Sequence, residues 1–246
     1  MKTRKLYYED VFLAECDAIV TQINDKGIVT DQTVAFPEGG GQIGDTGILI
    51  LRGEEIPFQD TQKGLGEILH LNNFPSVQVN TPVIHVVEPE VKEKFRIGDK
   101  IKIRINVNRR IRTTVMHSGL HLVLMAARNF CPELSATIKG CSITEDSARL
   151  DFFTTLKFTP DNIADIEAMT QELIDKDLEV KTYVHEGQDE AWYWQCEDFI
   201  CPCGGTHVTH TGCIGKVSVK RKNVGKTTER IILKLTEESL TEKEYH

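Results

Sequence analysis

The residues best suited to chemistry lie in residues 201–208, which read CPCGGTHV. Cys203 and His207 offer a thiolate and an imidazole four positions apart, and the two glycines between them supply the turn that this spacing needs. Sulfur and imidazole nitrogen are donors that zinc favours in proteins. The segment is therefore a candidate metal site.

The spacing of the two cysteines in this segment decides which sulfur to assign. Only Pro202 separates Cys201 from Cys203, whereas a thioredoxin-type redox motif has two residues between its cysteines. A redox role for the pair is therefore disfavoured. We assign Cys203, which stands at ligand spacing from His207, to the metal.

A second pair of candidate ligands is His117 and His121. Positions i and i+4 lie on one face of a helix, so both imidazoles can reach a common ion. Taken alone, this pair fits two buried structural histidines equally well. Taken with Cys203 and His207, it completes an N/S set typical of zinc, in which folding brings two distant pairs together.

The elements that must position these residues change in character along the chain. Up to about residue 108, alternating runs such as PVIHVVE and KIKIRINVN predict strands, arranged as a small barrel or sandwich. Beyond that point, the apolar spacing predicts a helix over 114–130 and another from Pro160, with Thr159 as its N-cap. A short helix is predicted over 189–197. We therefore predict an α+β fold.

The composition is that of an ordinary globular protein. The chain has 246 residues, 40% of them hydrophobic, and a formal net charge of −8. No apolar run reaches the ~18 residues of a membrane span, and the first residues lack the apolar core of a signal peptide. Clustered cysteines in a reducing compartment serve metals more often than disulfides, so we expect a cytoplasmic, metal-binding protein.

Two basic segments stand out against this acidic balance. Arg109 and Arg110 belong to the first, and Lys220, Arg221 and Lys222 belong to the second, which follows the metal motif. Each segment fits either a solvated strand face or a set of phosphate contacts. On the second reading, these five residues are candidate contacts to a nucleic acid.

Four motifs, taken together, resemble a known family. They are TVAFPEGGGQIGDTG at 33–47, HSGLH at 117–121, RLDF at 149–152 and CPCGGTHVTHTGCIG at 201–215. In this order and spacing they resemble the editing domain of alanyl-tRNA synthetase and its free-standing relatives, the AlaX proteins. The glycine-rich motif at 33–47 is similar to that of the medium-length AlaX class.

This resemblance implies a fold, a cofactor and a reaction. The fold is a small β-barrel over residues 1–108, followed over 109–246 by the α+β editing domain shared by threonyl- and alanyl-tRNA synthetases. The reaction is hydrolysis of tRNA(Ala) mischarged with serine, or with glycine, by a protein that acts in trans. The cofactor is zinc, and the implied ligands are His117, His121, Cys203 and His207.

The resemblance also implies where the substrate binds. The glycine-rich motif faces the editing pocket, and the candidate contacts there are Gly39, Gly40, Gly41, Gln42 and Asp45. The synthetase domain tends to have a threonine before the second zinc histidine and a glutamine in the loop after that helix. Leu120 and Ile138 stand at those places here. The contact to a serine hydroxyl then falls to another residue, and Thr137 is the candidate.

The catalytic residues cannot be named from the sequence, because no Ser/His/Asp set is visible. Four protein ligands fill a tetrahedral zinc, so we favour an ion that positions the substrate beside an activated water. Two other functions use the same residues. One is a zinc-stabilised, non-catalytic tRNA- or RNA-binding module with a closed metal site, and the other is a metal hydrolase of small esters or peptides. The glycine-rich motif lacks the Gly-Lys-Ser/Thr ending of a phosphate loop, which disfavours binding of a nucleoside triphosphate.

Overall fold

The fold is described by a computed structural model that covers residues 2–237 and 240–246. The first part of the chain, up to residue 105, is built from strands, as its alternating pattern predicts. Their bounds are β1 Arg4–Lys5, β2 Glu15–Ile23, β3 Gly27–Thr30, β4 Gln32–Thr33, β5 Gly47–Leu51, β6 Glu54–Phe58, β7 Asp60–Lys63, β8 Glu67–Leu69, β9 Val77–Val79, β10 Val83–Val86 and β11 Lys100–Ile105.

Seven of these strands form one sheet in the order β6-β5-β11-β2-β3-β10-β7. The edge strands β6 and β7 are not hydrogen-bonded to each other within the described residues, so the predicted closed barrel is not confirmed. Only Gln59 separates the two edge strands in the chain, and β2 carries a register shift between Val20 and Gln22. The sheet therefore curves until its two edges meet in one bent run of chain, and the curvature at β2 fits a β-bulge.

The second part of the chain mixes helices with strands, which confirms the predicted α+β class. It begins with helix α1, Val107–Ala127, whose N-cap Asn106 accepts a hydrogen bond from the Arg109 backbone N–H. Helix α2, Pro160–Asp175, starts at the predicted Thr159 cap. The remaining strands are β12 Ile138–Ile143, β13 Ala148–Phe153, β14 Val180–His185, β15 Gln188–Cys196, β16 Phe199–Pro202, β17 Lys216–Asn223 and β18 Thr228–Glu237.

These strands form a four-stranded sheet, β12-β13-β18-β17, and a three-stranded sheet, β14-β15-β16. The short helix predicted over 189–197 is wrong, because β15 occupies that stretch. This strand is hydrogen-bonded on both sides and alternates inward and outward residues, with Ala191, Trp194 and Cys196 buried. Its bulky aromatic residues also favour a strand over a helix.

The apolar residues form two clusters, one inside the seven-stranded sheet and one between α1, α2 and the four-stranded sheet. Val107 packs against both, so the clusters meet at the start of α1. The division into domains at residues 108 and 109 stays a prediction. Within the described residues, no helix is both long and apolar enough to cross a membrane.

The glycine-rich motif joins the two parts of the fold. It lies along the edge strand β12, where the Ile143 N–H donates to the Gly41 carbonyl at 2.7 Å and the Ile43 N–H donates to the Ile143 carbonyl at 3.1 Å. The motif therefore extends the four-stranded sheet, although its residues come from the strand-rich first part of the chain.

Candidate metal centre and its cavity

Four side chains from distant parts of the chain converge at one point. His117 and His121 come from α1, and Cys203 and His207 come from the loop after β16; one donor atom from each lies within 4.8 Å of the others. Cys203 Sγ lies 3.4 Å from His117 Nε2 and 3.2 Å from His207 Nε2. The arrangement brings together two nitrogen pairs and one sulfur of the predicted set, and it is suited to a metal ion.

The second ring nitrogen of each histidine is held from outside the cluster. His117 Nδ1 lies 2.8 Å from Gln42 Oε1, and His207 Nδ1 lies 3.2 Å from Ser118 Oγ. Outer partners of this kind fix the tautomer and the orientation of a ligating imidazole. They leave the Nε2 atoms of His117 and His207 to face the cluster.

His121 separates the two cysteines by function. Its Nδ1 lies 3.5 Å from Cys201 Sγ, while its Nε2 is buried without a hydrogen-bond partner among the described residues. A buried nitrogen without a partner is costly, and coordination of a metal would satisfy it. The donor set and this nitrogen fit a metal ion, with Cys203 inside the cluster and Cys201 behind His121.

The walls of the cluster are aromatic and tightly packed. Trp194 stacks on His121, with ring centroids 4.5 Å apart. Gly205 allows the closest approach, because a Cβ atom there would lie 2.2 Å from His117 Cε1. The glycine of the CGGTH motif is therefore required for packing against a candidate ligand as well as for the turn.

The environment of the cluster keeps its donors uncharged. Burial lowers the pKa of His121 to about 3, and burial together with the neighbouring imidazoles lowers the pKa values of His117 and His207 well below the ordinary range. Burial also raises the pKa of the Cys203 thiol to about 12. Neutral imidazoles are the form that binds metals, whereas Cys203 must lose its proton, so metal binding would release a proton.

The cluster opens into a cavity of about 710 Å³, a size suited to a small organic ligand. All of its candidate ligands except His207 contribute to the wall. The other lining residues include Gly39, Gly40, Lys63, Ser135, Glu190 and Phe199. The metal-binding cluster is therefore accessible from a cavity rather than sealed in the core.

Gln42 does not line this cavity, in contrast to the predicted substrate contact. Its side chain is fully buried; its Oε1 accepts from His117 and from the Thr206 N–H at 3.1 Å, and its Nε2 donates to Thr206 Oγ1 at 2.9 Å. The Thr206 hydroxyl in turn lies 2.8 Å from Thr114 Oγ1. All hydrogen-bonding groups of the Gln42 amide but one N–H face protein groups, so the residue positions His117.

Asp45 and Arg110 form a buried ion pair, with side chains 1% and 0% exposed. This burial contradicts both sequence-based assignments, because neither the Asp45 carboxylate can reach a substrate nor the Arg110 guanidinium a phosphate. Arg109, half-buried, donates to the Gly44 carbonyl at 2.9 Å and pairs with Glu145. The two arginines thus fasten the glycine-rich motif to α1, a pattern that charge alone does not reveal.

The three glycines of the motif occupy different positions. Gly39 and Gly40 line the cavity, and Gly40 has a φ of +58°, a conformation that favours glycine. Gly41 has a φ of +85° and faces Cys141, whose Sγ would lie 2.6 Å from an added Cβ. Gly39 and Gly40 therefore remain candidates for contact with a ligand, while Gly41 is required for packing.

Thr137 does not line the cavity, and its hydroxyl donates to the Leu134 carbonyl at 2.9 Å. Ser135, two residues earlier, does line it. Its Oγ is buried and has no hydrogen-bond partner within the described residues. The sequence gave no signal for Ser135, because an isolated serine in a loop is common and only its surroundings make it distinctive.

The second basic segment lies on β17, the edge strand of the four-stranded sheet. Lys220, Arg221 and Lys222 are exposed there. Arg221 forms two hydrogen bonds with Glu229, whose side chain is fully buried. Lys220 and Lys222 are accessible to a phosphate, whereas Arg221 already serves as counterion to a buried carboxylate.

Comparison with known protein families gives two matches. Residues 5–91 match the family described as tRNA synthetases class II (A). Residues 193–232 match the family described as threonyl and alanyl tRNA synthetase second additional domain. The first match includes the glycine-rich motif, and the second includes the CGGTH motif.

Individual relatives match over nearly the whole chain. The alanyl-tRNA editing protein AlaX-M of Pyrococcus horikoshii is 30% identical over 240 residues, which cover 93% of this chain and 96% of that protein. The alanine–tRNA ligases of Metallosphaera sedula and Pyrococcus furiosus are 32% and 31% identical over 94% and 98% of this chain. The chain spans only about a quarter of the length of either ligase, 25% and 26%.

Proposed function

The chain belongs to the family of alanyl-tRNA editing proteins, and we propose that it is a zinc-dependent deacylase that hydrolyses Ser-tRNA(Ala) in trans, with Gly-tRNA(Ala) as a second substrate. The proposed zinc ligands are His117, His121, Cys203 and His207. The observation that carries the proposal is the opening of this cluster into a cavity. Structural zinc sites are closed, whereas catalytic sites give access to a substrate.

Zinc held at the cluster would supply a positive charge that can polarise an ester carbonyl or a water molecule. The protein's part is to present the ester there and to exclude bulk water. Leu120, Leu124 and Phe199 form an apolar wall of the same cavity. Such a wall strengthens electrostatic interactions inside the cavity because it lowers the local dielectric constant.

The ionisable residues of the cavity favour catalysis by positioning. Glu190 is the one carboxylate among the described residues that line it. Its side chain is 4% exposed and is paired with Lys5, so it is poorly suited to accept a proton from water. We therefore propose no side-chain general base, and assign to the chain the binding and orientation of the ester.

Gly39 and Gly40 are the proposed contacts to the aminoacyl end. Both line the cavity, and the absence of side chains lets a ligand approach the backbone closely. Ser135 is proposed to contact the hydroxyl of an esterified serine, since its own hydroxyl lines the cavity without a partner among the described residues. An alanine ester would leave that hydroxyl unpaired, which is a source of discrimination.

The proposal is tested by incubating the protein with Ser-tRNA(Ala), Gly-tRNA(Ala) and Ala-tRNA(Ala). We expect release of serine and slower release of glycine, with Ala-tRNA(Ala) spared. A chelator should abolish the activity, and zinc should restore it. Binding of tRNA without turnover would favour the non-catalytic RNA-binding module, and equal hydrolysis of small serine esters without any nucleotide would favour a general metal hydrolase.

A further inference from the structure

Lys63 ends the edge strand β7, and its side chain lines the cavity beside the glycine-rich motif. A Cβ atom on Gly39 would lie 2.9 Å from Lys63 Nζ, so the ammonium lies against the bare backbone of Gly39. Gly39 pairs with Gln42 through two backbone hydrogen bonds of 3.0 Å, and Gln42 holds His117. The ammonium and the metal-binding cluster therefore flank the same tight turn.

The charges around Lys63 are not balanced within the described part of the chain. Glu190 forms an ion pair with Lys5, lies 3.4 Å from Lys2 Nζ and accepts the Asn80 N–H at 2.8 Å. Among the described residues none forms a hydrogen bond or a close ion pair with Lys63, which Glu190 influences only at longer range. Burial lowers the pKa of the Lys63 ammonium. Three ammonium groups thus surround one carboxylate, and a bound anion would offset the excess charge.

We propose that Lys63 binds the phosphate on the 5′ side of the terminal nucleotide of the charged tRNA, an inference that rests on the proposed function. In an aminoacyl-tRNA this phosphate and the ester carbonyl lie on opposite sides of a single ribose. The cavity presents a cation at one side of the turn formed by Gly39 and Gln42, and the metal-binding cluster at the other. One nucleotide can therefore engage both.

The residues around Lys63 fit a nucleotide better than a free anion. Gly39 leaves open the space beside the ammonium, which a side chain there would fill. Phe74 and Trp192 line the same cavity and offer aromatic surface to a base. Lysine binds phosphate as a compact point charge, which suits one phosphate at the mouth of a cavity.

The test compares two small substrates that differ by this phosphate. One is the 3′-seryl ester of adenosine, and the other is the 3′-seryl ester of the dinucleotide cytidylyl-adenosine. Lys63→Gln should raise the KM of the dinucleotide ester about tenfold, the effect expected for a lost charge-assisted hydrogen bond. The KM of the adenosine ester should not change, and Lys63→Arg should retain most of the affinity for the dinucleotide ester.

Lys176, an exposed lysine paired with Glu172 on α2, supplies the matched control. Lys176→Gln should leave both KM values unchanged. Lys63→Met should not lower the melting temperature, because it removes an unpaired charge from a partly buried position. A lower melting temperature with an equal KM rise for both esters would make Lys63 a structural residue and overturn the assignment.

The two proposals fail in different ways. If the wild-type protein hydrolyses neither ester nor Ser-tRNA(Ala), the deacylase assignment fails, and the phosphate contact fails with it. If the wild-type protein is active and Lys63→Gln affects the two esters equally or not at all, only the phosphate contact is overturned.

Discussion

Gln42 Oε1 lies 2.8 Å from His117 Nδ1, although the two residues are 75 positions apart in the sequence. Gln42 belongs to the glycine-rich motif, and His117 belongs to the metal-binding cluster. The motif is therefore connected to the cluster directly, through one side chain. This contact changes the meaning of the motif, since one of its two polar residues orients a candidate ligand rather than a substrate.

Gln42→Ala should weaken zinc binding about 10- to 100-fold, the usual effect of removing the outer partner of a ligating histidine. The rates for serine and alanine esters should fall together, because the residue does not line the cavity. Competition with a chromophoric chelator measures the first effect, and deacylation assays measure the second. Gln59→Ala, at an exposed glutamine bonded to Glu88, is the control. A changed ratio of serine to alanine rates at unchanged zinc affinity would return Gln42 to the substrate.

The two cysteines of the CPC segment should respond differently to replacement. Cys203→Ala removes a donor from the cluster and should abolish zinc binding and deacylation. Cys201→Ala removes only the group behind His121 Nδ1, so zinc should remain bound with affinity lowered by tenfold or less. Zinc content after dialysis distinguishes the two. Loss of zinc from the Cys201 variant alone would show that the other sulfur is the ligand.

Much of this site could be predicted from the sequence, because the chemistry of a metal ligand is carried by the residue type itself. His117, His121, Cys203 and His207 were identified from their spacing and from the resemblance of their motifs, and folding does bring them together. The outer contacts were not predictable in this way. An amide such as that of Gln42 bonds many partners, and its choice of His117 depends on how two distant segments pack.

Arg110 shows the opposite limit. A basic run predicts phosphate contacts on the assumption that its charges are exposed, yet Arg110 is fully buried against Asp45. The fold class was predictable because helical and alternating patterns differ in period. The curvature of the seven-stranded sheet was not, since it depends on a bulge in β2 and on the bent run around Gln59.

Ser135→Ala should reduce the preference for serine over alanine esters about tenfold, because it removes the hydroxyl that lines the cavity. Thr137→Ala is the matched control. Its hydroxyl bonds the Leu134 carbonyl, so its loss should lower stability by about 1 kcal/mol and leave the ratio of rates unchanged. Equal ratios in both variants would place the serine hydroxyl elsewhere.

The basic edge strand β17 gives a test of tRNA contact. Replacing Lys220 and Lys222 by glutamine should raise the KM for Ser-tRNA(Ala) and reduce its salt dependence by about one logarithmic unit per lost contact. Arg221→Gln should instead lower the melting temperature, because it leaves Glu229 buried without one of its counterions. An unchanged salt dependence in the lysine variant would make this strand a solvated surface.

His85 should make the free energy of unfolding depend on pH independently of the metal site. The ring is fully buried on β10 among neutral groups: Nε2 lies 2.9 Å from Thr33 Oγ1, Nδ1 donates to the Ile28 carbonyl at 3.1 Å, and Phe58 packs against the ring face. Burial lowers its pKa to about 4, compared with 6.5 for an exposed histidine. Below pH 6.5 the unfolded chain binds a proton that the folded protein does not, so stability is complete above that pH and falls towards pH 4.

The expected loss from His85 is about 3 kcal/mol by pH 4, since each pKa unit is worth about 1.4 kcal/mol. His85→Asn removes the titration and keeps an N–H that can donate to Ile28. Urea unfolding of both proteins with chelator, from pH 7.5 to 4.5, isolates His85, because the histidines of the metal-binding cluster titrate alike in the two. The stability difference between them should shrink or reverse as the pH falls. A difference that stays constant across this range would mean that His85 is protonated alike in the folded and unfolded states.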